Sequence, residues 1–112
     1  MSRNMSFMLT TRQIKNRSKT VTRRLGWWFL KSGDVLNACE KCQGLKKGEK
    51  IKKLCRIKII SCRKIPLHKI SHADCFREGF PDMYPSEFIR MFRKEMKCSM
   101  DTEVNRIEFE YI

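Results

Sequence analysis

The sequence predicts an α+β domain: a small, mostly antiparallel β-barrel of about five or six strands with short helices between them. Three observations carry this. At 112 residues the chain has the size of one domain, since domains cluster near ~100–150 residues, and positions 1–112 are assigned to a single domain. Its elements read β-α-β-β-β-α-α-β, without the regular strand–helix alternation of a parallel α/β sheet. The longest extended stretch, Ile51 to Ile65, breaks its own alternation at Ile59-Ile60, as a strand does where a bulge bends a sheet towards a barrel.

Taken in order, Ser6 to Leu9 is an apolar run read as a first strand. Thr10-Thr11-Arg12-Gln13 matches a capping box, with Thr10 as cap and Gln13 three residues on, opening a brief helix to Arg17. Thr20 to Arg24 is β-branched at its core and reads as the next strand. Trp27 to Leu30 is followed by the turn Lys31-Ser32-Gly33-Asp34, and Val35 to Glu40 reads as a strand. Gln43 to Lys50 carries two glycines and alternating charge and reads as an exposed loop or hairpin tip.

In the long strand, Leu54, Arg56 and Lys58 fall on one face and Cys55, Ile57 and Ile59 on the other, and Pro66 ends it. Ser71 can cap a short helix through Glu78, with Gly79 as its stop. Pro85 suits the first turn of a second helix, which carries Phe88, Phe92 and Met96 along one stripe with Ile89 beside it. Lys94 and Lys97 fall at its C-terminal end, where cations are favoured. Asn105 to Ile112 alternates, with Ile107, Phe109 and Tyr111 inward, as a closing strand.

Charge is unevenly spread. The chain is +13 overall, the first 69 residues carrying +16 and the last 43 carrying −3. This asymmetry points to a polyanionic partner on the N-terminal two-thirds. With 41% hydrophobic residues the composition argues against disorder. There is no apolar leader and no run near the ~20 apolar residues of a bilayer span, so a cytoplasmic setting and no membrane partner are expected. The six cysteines, at 39, 42, 55, 62, 75 and 98, are then read as reduced thiols, Cys55, Cys75 and Cys98 as small core hydrophobes. Cys39-Glu40-Lys41-Cys42 is a lone C-x-x-C without a second matched pair, so no metal and no cofactor is assigned. His68 and His72 read as surface residues.

The functional stretch is Lys19-Thr20-Val21-Thr22-Arg23-Arg24, running into Leu25-Gly26-Trp27-Trp28. It sets a lysine, two hydroxyls, two arginines and two indoles within ten residues, with no carboxylate between Met1 and Gly33 to neutralise it. An edge strand protected by Lys and Arg has the same composition. As a nucleic-acid surface, Lys19, Arg23 and Arg24 supply phosphate contacts whose strength falls with salt. Trp27 or Trp28 can stack on an unpaired base; neighbours on a strand face opposite ways, so one indole is expected buried and the other available. Lys46, Lys47, Lys50, Lys52 and Lys53 extend the positive track.

Lys19-Thr-Val-Thr22-Arg, Leu30-Lys-x-Gly-Asp34, Arg77-Glu78-Gly79-Phe80 and Arg106-Ile-Glu-Phe109, in this order, resemble an ASCH domain, a branch of the PUA-like superfamily. The likeness runs from about Ser6 to Ile112 and is nearest to small stand-alone prokaryotic and phage members. It implies a PUA-like β-barrel with a cleft lined by the Lys-x-x-Thr segment that binds RNA or a modified nucleoside. Some small bacterial members hydrolyse the amide of N4-acetylcytidine with a Thr, Lys and Glu constellation. By motif these are Thr22, Lys19 and Glu78. A ribonuclease activity on single-stranded RNA has also been proposed for small members. The basic loop from Cys42 to Lys53 and the Trp27-Trp28 pair depart from the compact amidohydrolases.

As chemistry, Thr22 can attack an amide if Lys19 is neutral enough to take its proton, which Arg23 and Arg24 favour by lowering the lysine pKa. Glu78 can position Lys19 or protonate the leaving amine; a solvated carboxylate at the helix end is the plainer alternative. An offset of three places Lys19 and Thr22 on opposite faces of a straight strand, so the site requires Lys19 on a bend before it. The expectation is an RNA- or modified-nucleoside-binding domain, with amidohydrolase, ribonuclease and a phage or host protein-interaction module as alternatives.

Overall fold

A computed structural model describes residues 3–112. Its strands are β1 (Arg3–Ser6), β2 (Val21–Arg24), β3 (Val35–Cys39), β4 (Lys53–Pro66) and β5 (Glu103–Tyr111), and its helices α1 (Thr11–Lys15), α2 (His72–Arg77) and α3 (Pro85–Met96). The strands form one mixed sheet in the order β1-β3-β4-β5-β2. Only β1 with β3 is parallel among these pairings; the rest are antiparallel. The sheet is a curled half-barrel, in keeping with the α+β, PUA-like expectation.

Strand β4 produces the curl. Its first half pairs with β3 and its second with β5, and the β5 register shifts between Ile59 and Ser61. That bulge leaves Ile60 exposed between buried Ile59 and half-buried Ser61, as the paired apolar residues predicted. Two clusters form the interior. Met5, Phe7, Ile14, Leu36, Ile57, Ile59, Ile107 and Phe109 fill the concave face, while Leu67, Ile70, Cys75, Phe88, Phe92 and Val104 pack beneath α2 and α3.

The N-terminal elements depart from expectation. The first strand is Arg3–Ser6 rather than Ser6–Leu9, and Met8–Thr10 is a 3-10 turn. Pairing in register with β3 ends at Ser6, and Met8 and Leu9 are exposed despite being apolar. The Thr10/Gln13 capping box does not form. The Thr11 hydroxyl instead donates to Phe7 O at 2.9 Å, and Gln13 Nε2 donates to Gly79 O at 3.2 Å. Trp27 and Trp28 lie in a turn rather than a strand, Trp27 with φ 72°. Met96, expected on the apolar stripe of α3, is 39% exposed.

Helix α2 starts as predicted: the Ser71 hydroxyl accepts from Asp74 N at 3.1 Å. Gly79, at φ 97°, reverses the chain after it. A Cβ there would meet Gln13 Cγ at 2.8 Å, so α1 and the end of α2 approach too closely for any side chain.

Candidate functional site

Lys19 precedes β2 and lies outside the strand, which meets the bend condition set by its spacing from Thr22. Backbone ties hold it there. Lys19 N donates to Gln13 O at 3.2 Å, Thr20 N to Arg77 O at 2.8 Å, and the Tyr111 hydroxyl to Lys19 O at 2.5 Å. The Thr20–Arg77 bond brings the end of α2 against the start of β2, and so sets Glu78 opposite Lys19.

The contacts that follow form a buried ionic chain. Lys19 Nζ donates to Glu78 Oε1 at 2.9 Å and to Glu78 O at 2.8 Å. Arg23 Nη1 donates to Glu78 Oε2 at 3.1 Å, and its Nη2 to Asp74 Oδ2 at 2.7 Å. Arg106 grips Asp74 with two nitrogens, Nε to Oδ2 at 2.7 Å and Nη2 to Oδ1 at 3.0 Å. Arg77 Nη1 adds a bond to Asp74 Oδ1 at 3.0 Å from the surface. Lys19, Arg23, Glu78, Asp74 and Arg106 are each less than a tenth exposed. Pairs this deep survive only when nearly every donor and acceptor is satisfied. Arg23 Nε is the exception among the described residues, buried without a partner.

A cavity of about 240 Å³ opens where the two apolar clusters meet. Lys19, Thr22, Arg23, Arg24 and Glu78 line its polar side together with Ser6, Thr10 and a second carboxylate, Glu95. Phe7, Phe80, Phe88 and Phe92 form its aromatic wall, and exposed Met8 and Leu9 border it. Thr22 Oγ1 accepts from Arg24 Nε at 3.1 Å, so its partner is Arg24 and not Lys19. Arg24 Nη2 donates to Ser6 O at 2.6 Å, and its guanidinium lies 4.8 Å from the Phe7 ring centre.

Burial pushes the Lys19 ammonium below its ordinary value; Glu78 opposes this and Arg24 and Arg23 add to it. Burial also lowers the Arg24 guanidinium to about 10, against Glu78, which leaves it charged at neutral pH. Hydrogen bonds from Arg106, with Arg23, hold the Asp74 carboxyl well below its usual range despite burial. The same bonds raise Arg106. Asp74 is therefore a permanent anion that anchors the arginines.

Lys19, Thr22, Arg23, Arg24 and Glu78 thus reach one cavity, whereas the two tryptophans and the loop lysines do not line it. Arg23 has both Nη nitrogens engaged by carboxylates and is 4% exposed. Trp28 is 71% exposed and Trp27 half-buried against the core. Lys46, Lys47, Lys50, Lys52 and Lys53 are exposed on and beside the loop after β3. Among the described residues no group of three or more His, Cys, Asp or Glu is arranged to hold a metal ion, and no helix is long and apolar enough to cross a membrane.

Asp74 and Arg106 were missed by sequence reasoning. Asp74 reads as an ordinary first-turn carboxylate of α2, and Arg106 falls on the face of β5 that alternation marks as outward. Arg106 is nonetheless only 8% exposed. Its signal was an arginine opening the Arg-Ile-Glu-Phe motif, opposite Arg23 in the β2–β5 register. Two arginines facing each other across a strand pair demand a carboxylate between them.

No family model and no curated protein matches this chain by sequence. Solved structures do match. Protein EF3133 from Enterococcus faecalis V583, of the DUF984 family, aligns over 100% of this chain and 80% of its own, with a TM-score of 0.72 at 17% identity. An ASCH domain from Lactobacillus crispatus JV V101 aligns over 92% of this chain and 70% of its own, with a TM-score of 0.67 and 17% identity. The chain has an ASCH-like fold. Identities this low carry the backbone and leave the chemistry of the cavity to its own side chains.

Proposed function

We propose that this ASCH-like domain binds RNA, or a modified nucleoside, in the cavity beside Lys19 and Thr22. The observation that carries the reading is the make-up of that cavity. About 240 Å³ with a wall of Lys19, Thr22, Arg23, Arg24 and Glu78 facing phenylalanines suits one nucleoside, being smaller than the ~300–1,000 Å³ of drug-sized sites. The aromatic wall suits a base, and the polar wall its ribose, exocyclic groups and phosphate. The +13 chain, with exposed lysines on the loop after β3, supplies long-range attraction to a polyanion.

Fluorescence anisotropy with a labelled single-stranded RNA tests this between 50 and 300 mM salt, roughly the range over which phosphate contacts weaken. Affinity is expected to fall steeply with salt and to drop about tenfold in Thr22→Val and Arg24→Met, which strip hydrogen bonds from the pocket. Equal binding by wild type and both variants overturns the cavity as the site. RNA-independent capture of a protein partner after nuclease treatment favours an interaction module instead.

A second reading, amide hydrolysis of the N4-acetylcytidine type, is favoured by the bonding of Lys19. A neutral amine that donates two N–H bonds to Glu78 keeps its lone pair, and burial favours that neutral form. In this scheme Thr22 Oγ attacks the acetyl carbon as its proton passes to Lys19 Nζ. Collapse returns that proton to the departing amine, and water then cleaves the Thr22 ester to release acetate. Arg24 Nε, already bonded to Thr22 Oγ1, orients the nucleophile. Acetate release from N4-acetylcytidine by wild type and its loss in Thr22→Ala are the expected results. No turnover at high enzyme concentration refutes it and leaves binding intact.

A further inference from the structure

A second cleft, of about 350 Å³, adjoins the first. It is lined by Asn4, Arg24, Trp27, Lys41 and Gln43, and it shares Ser6, Met8 and Arg24 with the nucleoside cavity. Arg24 is the partition between the two. Its Nε and Nη2 are committed to Thr22 and Ser6, while Nη1 has no hydrogen bond among the described residues. A cation with one free donor edge, standing between two hollows, is what a phosphodiester linking two bound nucleosides requires.

Trp27 gives the second cleft an aromatic wall held in place from several sides. Its backbone sits at φ 72°, uncommon for a bulky residue and maintained only where the surroundings over-determine it. Asn105 Nδ2 donates to Gly26 O at 2.7 Å, and Trp27 O accepts from Leu30 N at 3.2 Å and from the Cys62 thiol at 3.5 Å. The indole packs on Phe29 with centroids 5.8 Å apart, and the Arg3 guanidinium lies 4.4 Å from the Phe29 ring centre. On the polar side, Asn4 Oδ1 accepts from Asn37 Nδ2 at 3.0 Å, and the Asn4 amide donor has no bond among the described residues. Lys41 adds a cation.

We propose that this cleft is a second nucleotide subsite, taking the base next to the one in the first cavity, with the bridging phosphate at Arg24 and the base stacked on Trp27. The inference rests on the RNA reading of the first cavity. It adds that the smallest complete ligand is a dinucleotide.

Calorimetric titration of the full chain with the methyl esters of the four ribonucleoside 5′-monophosphates (the mononucleotides) and the four matching dinucleoside monophosphates (the dinucleotides) tests it, since each carries one singly charged phosphodiester and they differ by a nucleoside. The best dinucleotide is expected to bind about 5- to 150-fold tighter than its mononucleotide, the range of one base–aromatic stack. Trp27→Gly, which suits the positive φ, should erase that gain and leave mononucleotide affinity in place. If that variant fails to fold, Lys41→Glu must weaken the dinucleotide selectively. Equal affinities for mono- and dinucleotide in wild type, or equal losses for both in either variant, overturn the subsite while the first cavity stands. Failure of every nucleotide to bind overturns both.

Discussion

Replacing Asp74 with Asn tests whether the buried ionic chain holds the site together. The carboxylate is 5% exposed and receives four bonds from three arginines, at 2.7, 2.7, 3.0 and 3.0 Å. Asn keeps one acceptor oxygen, loses the charge, and presents an amide donor to a guanidinium. Removing one partner from a buried pair typically costs ~3–5 kcal/mol; the retained acceptor places Asp74→Asn near the lower end, about 3 kcal/mol. For a domain of this size, with ~5–15 kcal/mol in total, that is a large share. At about 4 °C per kcal/mol the melting temperature should fall by ~12 °C. Circular dichroism melts read this directly. A drop under about 4 °C would refute the view that Asp74 anchors Arg23 and Arg106. Adding Arg106→Leu should recover part of the loss, because no buried guanidinium then lacks an anion: Arg23 keeps Glu78, and Arg77 is about half exposed to water.

The same substitution carries a pH signature. Asp74 is held below its ordinary value of 3.8, chiefly by hydrogen bonds from Arg106 and Arg23. Around and below that value the unfolded chain therefore binds a proton that the native state does not, and stability rises with pH there. The gap between wild type and Asp74→Asn should be full above about pH 5 and should shrink as pH falls through 3.8. A gap that stays constant down to pH 3 would mean that the carboxylate charge is irrelevant.

Two further outcomes follow from local geometry. Gly79→Ala places a Cβ 2.8 Å from Gln13 Cγ at φ 97°, adding a strained backbone of ~1–3 kcal/mol to a similar overpacking cost. Gly48→Ala, at φ 87° in open space, should show only the backbone part. Urea titrations in which the two variants lose equal stability would contradict the close approach of α1 to α2. Cys39 is fully buried, and burial with the neighbouring Cys42 raises its thiol from 9.0 to about 11. At pH 8 it should alkylate about a hundredfold more slowly in the folded chain than in urea; mass spectrometry showing equal labelling would refute that environment.

Much of this architecture was legible because local chemistry and tertiary need coincide. The bulge at Ile59–Ser61, the Ser71 cap, the turn at Gly79, Pro85 at the start of α3 and the inward Ile107 and Phe109 each follow from residue type and spacing. Position Lys19 was legible only conditionally, since its three-residue offset from Thr22 works only off the strand. What escaped was non-local. Nothing in Arg3–Ser6 announces a parallel pairing with β3 across the turn-rich chain between them, and Met8-Leu9 looks like strand interior although it borders a cavity. Asp74 and Arg106 are 32 residues apart and meet only in the folded chain, where the Thr20–Arg77 bond ties α2 to the start of β2, the strand paired with β5. Strand alternation led to the expectation of one buried and one available tryptophan; in the turn that holds them Trp27 is only half-buried and Trp28 is exposed.

Charge accounting around the cavity decides what kind of ligand it favours. Lys19, Arg23 and Arg24 line it against Glu78 and Glu95, three basic side chains to two carboxylates. Asp74 is shared among three arginines and Glu78 between Arg23 and Lys19, and neither bonds to Arg24. Among the described residues Arg24 bonds only to neutral oxygens, those of Thr22 and Ser6. Its depressed value of about 10 reflects burial, against the pull of Glu78. An anion arriving beside Arg24 meets its open Nη1 edge, whereas along the chain of ion pairs the Arg23 and Arg106 donors bonded to Asp74 and Glu78 are already engaged and Arg23 Nε alone is left, deeply buried. This asymmetry makes a phosphate at the junction of the two clefts more favourable than a carboxylate competing for Lys19. It also means that Arg24→Met should flatten the salt dependence of RNA binding by about one phosphate contact, whereas truncating Arg23 should act mainly on stability.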